Sequence, residues 1–185
     1  DDVALVSDAG TPLISDPGYR VVDGAHSAGL RVLPVPGPCA AIAALSASGL
    51  PSDRFRFEGF LPAKTGARRK QLVELTDVPH TLIFYVPARD LVTVLGDLAE
   101  AFGADRHGCI ARELTKQFEH VHRDSLAALA DWTAADPDRQ RGEAVVLVAG
   151  APDDRAASGS SIAPATLADA LADELPPARA ARIIR

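Results

Sequence analysis

Two short units in the first fifty residues constrain this chain most. Residues 3–7 are a brief β-branched run that ends in the loop Asp8-Ala9-Gly10-Thr11-Pro12, with Asp16-Pro17-Gly18 close behind. Residues 31–35 repeat the pattern and end in Pro36-Gly37-Pro38, after which Cys39-Ala40-Ala41 opens a run of small residues. Short apolar runs bounded by turn residues predict buried strands. Helices are expected over 18–28, stopped by Gly29, and over 39–48, started by Pro38 and closed by Gly49. This strand–helix–strand–helix order predicts parallel pairing, with the loops gathered at the carboxyl ends of the strands. Open α/β sheets bind their ligands at that end.

A second set of elements follows a linker at 51–53. Residues 54–60 alternate, with Phe55, Phe57 and Gly59 on one side and Arg54, Arg56, Glu58 and Phe60 on the other, which predicts a strand. Helices are expected over 67–75, 89–102 and 125–134, the last capped by Asp124. Strands are expected over 81–86, 108–112, 118–123 and 143–149. Beyond residue 150 the composition turns to Asp, Ala, Ser and Gly, which reads as a linker to about 164. Two short helical stretches, 166–175 and 178–185, flank Pro176-Pro177. The expected organisation is an α/β lobe over 1–50, a second over 51–150 and a partial helical segment over 151–185.

The formal charge of −6 argues against a broadly basic nucleic-acid binder and leaves room for a local basic patch. No apolar run approaches the roughly 20 residues needed to cross a bilayer. Cys39 and Cys109 stand far apart and form no CxxC, which speaks against a disulfide scaffold or a zinc site and for a reducing cytoplasm.

Three stretches carry candidate chemistry. In the first loop, Gly10 permits close backbone approach, Thr11 offers a hydroxyl, and Asp8 and Asp16 accept hydrogen bonds from hydroxyl, amine or amide donors. A rigid turn with capping aspartates explains the same residues. Neither GxxxxGK[ST] nor GxGxxG is present, which excludes the P-loop and the usual dinucleotide fingerprint. The second loop places Pro36, Gly37, Cys39 and Ala40 where small residues leave room for a ligand against backbone N–H groups, or for close helix–sheet packing. The third stretch, Ile110 to Glu119, sets Arg112 and Lys116 beside Glu113 and Glu119, either to hold a phosphate and a hydroxyl or as an exposed turn with mutual ion pairs. His120 and His122 alternate on one strand face without a third metal ligand. His26, His80 and His107 belong to no constellation, and Trp132 reads as packing on an amphipathic helix.

Taken together and in order, VSDAGTPLISDPG, VPGPCAA, SDRFRFEGFLP, ARELTKQFE and GEAVVLVAG resemble the tetrapyrrole-methylase-type S-adenosylmethionine-dependent methyltransferases. The SDAGTP loop and the ARELTK stretch resemble the bacterial branch that methylates a cytidine ribose 2′-hydroxyl in 16S ribosomal RNA. The likeness runs from Val3 to Gly150. Such proteins begin with an earlier βα segment, carrying an ATPIGNL-like loop and an EDTR-like stretch, that this sequence lacks. Phe84-Tyr85-Val86-Pro87-Ala88-Arg89 replaces a Phe-Tyr-Glu-Ser-Pro-His-Arg-like segment, and Cys39 stands where a Ser is usual.

The resemblance implies a two-lobed α/β fold of class III methyltransferase type, with a parallel sheet in the first lobe and a mixed sheet in the second. It implies S-adenosylmethionine as cofactor, held by Asp8, Ala9, Gly10, Thr11, Pro36, Gly37, Cys39 and Ala40, with Ala111, Glu143 and Ala144 on the adenine side. Glu113 is the candidate catalytic base or orienter, and Lys116 and Arg112 are the candidates for positioning the RNA phosphate. Arg54, Arg56, Lys64, Arg68, Arg69, Lys70 and Arg112 are the candidate RNA contacts, with Phe60 available to stack on an unpaired base. The expected partners are 16S ribosomal RNA in the small subunit and a second copy of the chain through helices 22–28 and 91–102, with no membrane and no metal. The competing readings are a tetrapyrrole C-methyltransferase, against which the ARELTK stretch speaks, and a non-catalytic fragment that dimerises.

Overall fold

The computed structural model describes residues 2–152, and the two helical stretches expected beyond residue 165 lie outside them. The frame is a five-stranded sheet, ordered β1-β2-β5-β3-β4. Its strands are β1 (Phe55–Phe60), β2 (Thr81–Pro87), β3 (His107–Arg112), β4 (His120–Ser125) and β5 (Glu143–Val148). The β1–β2 pair is parallel and the other three pairs are antiparallel, so the sheet is mixed as expected.

Strand alternation divides the core in two. Leu82, Phe84, Val86, Ile110, Ala144, Val146 and Val148 face one side. There α3 (Thr65–Val73), α4 (Leu91–Phe102) and α5 (Leu126–Ala134) cover the sheet through Leu72, Leu91, Leu95, Leu98, Leu126 and Leu129. Ile83, Cys109, Ala111, Val145 and Leu147 face the other side, where α2 (Ala40–Ser48) lays Ala41, Ala44 and Leu45 against them. Small side chains on α2 let its backbone come close to the sheet. Burial pushes the Cys109 thiol up to about 11, so it packs as a small apolar group.

Several expectations are corrected. Residues 3–7 and 31–35 form no strand, and the first fifty residues hold only α1 (Tyr19–Ser27) and α2. Val3 is 90% and Val35 88% exposed. A β-branched run becomes a strand only when a neighbour takes up its backbone hydrogen bonds, and no described strand lies beside either segment. The cap of α5 is Ser125, whose hydroxyl accepts from the Ala128 N–H, while Asp124 accepts from Ser125 N. Helix α4, expected as an interface, turns Leu91, Val94, Leu95, Leu98 and Phe102 into the core.

Strand β1 also departs from simple alternation. The register jumps between Phe57, opposite Ile83, and Gly59, opposite Phe84. Glu58 is the extra residue of a β-bulge, and Gly59 takes φ 67°, where glycine is favoured. The bulge moves Phe60 onto the face of Phe57, opposite Tyr85. The three rings then meet edge to face, with Tyr85 4.9 Å from Phe57 and 5.5 Å from Phe60.

Candidate active site

An open cavity of about 510 Å³ lies at the end of the sheet where β1 and β2 finish and β5 begins. That volume falls within the roughly 300–1,000 Å³ of small-molecule sites. The first two loops identified in the sequence meet here. Ala9, Gly10 and Thr11 line the cavity beside Cys39 and Ala40. The Thr11 hydroxyl donates to the Pro38 carbonyl at 2.8 Å and ties one loop to the other. Gly10 has φ 75°, which lets the backbone turn at the rim. Asp16 also lines the cavity, whereas Asp8, Pro36 and Gly37 do not. Those three are exposed on the same two loops, outside the lining.

The opposite wall comes from the loop after β3 and the start of β5. Ala111, Glu113, Leu114, Lys116, Gly142, Glu143, Ala144 and Val145 line it. Glu113 and Thr115 adopt positive φ, 49° and 66°, so the loop holds two non-glycine residues in a disfavoured conformation. The Glu113 carboxylate accepts from Glu143 N at 2.8 Å and from Lys116 Nζ at 3.1 Å. Lys116 Nζ also donates to Glu143 at 3.0 Å. The Glu143 N–H, then Lys116, hold the Glu113 carboxyl below its ordinary range. Glu143, then Glu113, raise the Lys116 amine. Glu113 is therefore an ionised carboxylate already occupied by donors, suited to orienting this wall more than to taking a proton. Gly142, at φ 84°, lies so close to that carboxylate that a Cβ would overlap it.

The floor contains a residue that the sequence reading did not assign. Tyr85 lines the cavity, and its hydroxyl accepts from the Ala41 N–H at 3.2 Å, fixing the first turn of α2. Burial raises its phenol. The signal for it was its position: Tyr85 is the one polar side chain in the run Leu82 to Val86.

The basic residues proposed for RNA divide sharply. Arg68 is buried, with Nε 2.6 Å from Asp97 and Nη1 on the Pro62 and Ala63 carbonyls. Arg69 bonds Asp97 at 2.8 Å and Glu100 at 2.7 Å. Arg112 is buried and donates to the carbonyls of Asp138 at 2.7 Å and Arg141 at 2.9 Å. Arg68 and Arg69 tie α3 to α4, and Arg112 ties the 137–141 turn to β3. The buried Arg68 and Arg112 are corrected from RNA contacts to structural ties, while the ion-paired Arg69 is half exposed and keeps the expected role as a proposal. Arg56 pairs with Glu58. Arg54, Lys64 and Lys70 are exposed and keep the expected role as a proposal. His120 and His122 both stack on Trp132, at 5.1 and 4.5 Å, and Arg139 covers the indole at 4.1 Å. Among the described residues no three His, Cys, Asp or Glu side chains are placed to hold a metal ion.

The mixed α/β domain gathers two Gly/Pro loops and a charged loop around one cleft of a size that suits a small molecule. Residues 1–130 match the family described as Tetrapyrrole (Corrin/Porphyrin) Methylases, and the chain belongs to that family. It is 52% identical over 185 residues to "Ribosomal RNA small subunit methyltransferase I" of Pseudomonas aeruginosa, covering 99% of this chain and 65% of that protein. It is 51% identical to the protein of the same name in Xylella fastidiosa, covering 99% of this chain and 66% of that one. The chain thus spans just under two thirds of the length of these relatives. Among solved structures, "methyltransferase CobJ" aligns with TM-score 0.55 at 22% identity, covering 77% of this chain and 62% of that one. Uroporphyrin-III-C-methyltransferase from Thermus thermophilus aligns with TM-score 0.53 at 20% identity, covering 76% and 60%. These likenesses establish the shared fold.

Proposed function

We propose that this chain serves S-adenosylmethionine-dependent methyl transfer to a cytidine ribose 2′-hydroxyl of small-subunit ribosomal RNA. The observation that carries the reading is the cleft itself. The SDAGTP and PGPCA loops, joined through Thr11 and Pro38, face the ARELTK loop across it. Small-subunit ribosomal RNA follows the name shared by relatives at 51–52% identity, and the cytidine ribose 2′-hydroxyl follows the sequence resemblance.

The cleft fits the cofactor on its own chemistry. Ala9, Gly10, Ala40, Ala111 and Ala144 keep the walls low, Tyr85 and Leu114 give apolar surface, and Asp16 and Glu143 suit a cationic ligand. When bound, S-adenosylmethionine supplies an activated methyl group on a sulfonium. The chain's residues bind and orient. The Thr11–Pro38 tie holds two loops in register, and Glu113 with Lys116 and Glu143 sets the opposite wall at fixed separation. The resemblance assigns Asp8, Pro36 and Gly37 to cofactor contact, Glu113 to the role of base or orienter, and Lys116 to positioning the substrate phosphate. Residues 1–50 and 51–150 form the two sides of this arrangement, in a cytoplasmic protein that pairs with a second copy.

The test is calorimetric titration of the chain with S-adenosylmethionine, followed by methyl transfer to small ribosomal subunits lacking this methylation. Binding that is lost in Gly10→Val, together with methyl incorporation at a cytidine ribose, is the expected result. Methylation of a porphyrinogen with none of RNA would replace the substrate. Absence of cofactor binding by the folded chain would overturn the reading for this chain.

A further inference from the structure

We propose that Phe60 and Arg89 form a two-point holder for the target nucleotide at the mouth of the cleft, the ring for its base and the guanidinium for its phosphate. The inference rests on the ribosomal RNA reading above and names residues for it that the basic cluster on α3 does not provide.

The argument begins with charge. An anionic substrate entering this cleft needs a cation at its rim, and the chain as a whole is acidic. Among the described residues, Lys116 and Arg89 are the basic ones that line the cleft. Lys116 is engaged by two carboxylates. The Arg89 side chain is 82% exposed, and its nearest carboxylate, on neighbouring Asp90, is 3.9 Å away. That separation is at the outer limit of an ion pair and contributes little at such exposure. Arg68, Arg69 and Arg112 are committed elsewhere, so among the described residues Arg89 is the lining cation whose fork is not held by a close carboxylate.

The aromatic side follows from the bulge. Without the extra residue at Glu58, alternation would place Phe60 on the face opposite Tyr85. With it, Phe60 lines the cleft while remaining 57% exposed. Its contact with Tyr85 is edge to face at 5.5 Å, which steadies the ring. Tyr85 cannot serve in the same way, because it is half-buried and its hydroxyl is occupied by Ala41. Phe60 pairs with Tyr85 at the ends of parallel neighbours, and Arg89 follows β2 by two residues. Ring and guanidinium therefore stand at the same end of the same strand pair. An exposed ring and an exposed guanidinium lining one end of the cleft match an unpaired nucleotide, whose base stacks and whose phosphate takes a bidentate cation.

The experiment uses the 185-residue chain and a short RNA hairpin carrying an unpaired cytidine in its loop, with affinity read by fluorescence anisotropy across a salt series. S-adenosylmethionine affinity is measured in parallel, and melting temperatures confirm folding. Phe60→Ala is expected to weaken hairpin binding about tenfold with an unchanged salt slope, and Phe60→Trp to restore it. Arg89→Ala is expected to weaken binding and to flatten the salt slope by about one. Both variants should keep the parent's cofactor affinity. Parent-like hairpin binding by both alanine variants would overturn the holder and leave the ribosomal RNA reading standing. An equal loss of cofactor affinity would assign the pair to the cofactor and overturn it. A parent that binds cofactor but not the hairpin would overturn the holder, while methyl transfer to small ribosomal subunits decides the ribosomal RNA reading separately.

Discussion

The sheet from Phe55 to Val148 and the chain before α2 make their structure in different ways. The sheet carries two buried layers, and its central strands β2, β5 and β3 bury side chains on both faces. The earlier region contributes loops and one helix, α1, with no buried residue. Both nevertheless reach the same cleft. A binding loop can thus be positioned by a few ties, here the Thr11–Pro38 bond and the seating of α2, while the scaffold's stability is generated elsewhere. If that division is right, substitutions in the two regions should separate stability from binding.

The largest expected effect lies in the scaffold. Asp97 is buried between Arg68 and Arg69, and removing it leaves the buried Arg68 guanidinium without its carboxylate. Asp97→Ala should lower unfolding stability by about 3–5 kcal/mol in urea denaturation. Leu33→Ala, at an exposed position of the early region, should change it by no more than about 0.5 kcal/mol. Comparable losses from both would show that the early region is packed as tightly as the sheet, and the comparison would fail.

Gly142→Ala should come next and touch both properties. The new methyl meets the Glu113 carboxylate, and the backbone remains in a region that glycine alone adopts easily. A loss of about 1–3 kcal/mol is expected, with S-adenosylmethionine affinity falling further than stability alone explains. Full cofactor affinity in a folded Gly142→Ala chain would mean that the Glu113 wall does not shape the site. Thr11→Val should then sharpen the contrast from the other side. It removes the tie to Pro38 at an exposed position, so stability should move by about 1 kcal/mol or less while calorimetric cofactor affinity drops several-fold.

The same comparison explains what could be read in advance. The sheet's strands and α2–α5 were legible because their periodicity reflects burial on this sheet. The segments 3–7 and 31–35 have equally strand-like composition, yet strand formation needs a partner that local sequence does not specify. Loop chemistry is more local: Gly10, Thr11, Cys39 and Ala40 were legible from turn residues and family likeness, and they do line the cleft. The arginines were the least legible. Arg68 and Arg69 read as a basic surface, but their partners Asp97 and Glu100 lie a whole strand and part of a helix away. Phe60 was assigned to the wrong face because a one-residue bulge leaves no mark in a binary pattern.

The smallest effect concerns pH and isolates the charged wall. The Glu143 N–H and Lys116 hold the Glu113 carboxyl below the ordinary carboxylate value of 4.5. A group depressed in the folded state contributes stability that is fully present above its unfolded value and is lost as pH falls through its folded value. Stability measured from pH 7 downward should therefore decline through and below pH 4.5, and Glu113→Gln should remove part of that decline while leaving the slope near neutrality unchanged. Lys116 has the opposite sign. Its amine is raised above 10.5 by Glu143 and Glu113, so its contribution is present below that pH and is lost as pH rises through the raised value. Lys116→Gln should flatten the alkaline limb without altering the acidic contribution from the Glu143 N–H. An acidic limb identical in the parent and Glu113→Gln would mean that the carboxylate gains nothing from its donors on folding. The ARELTK wall would then be as loosely held as the early loops it faces.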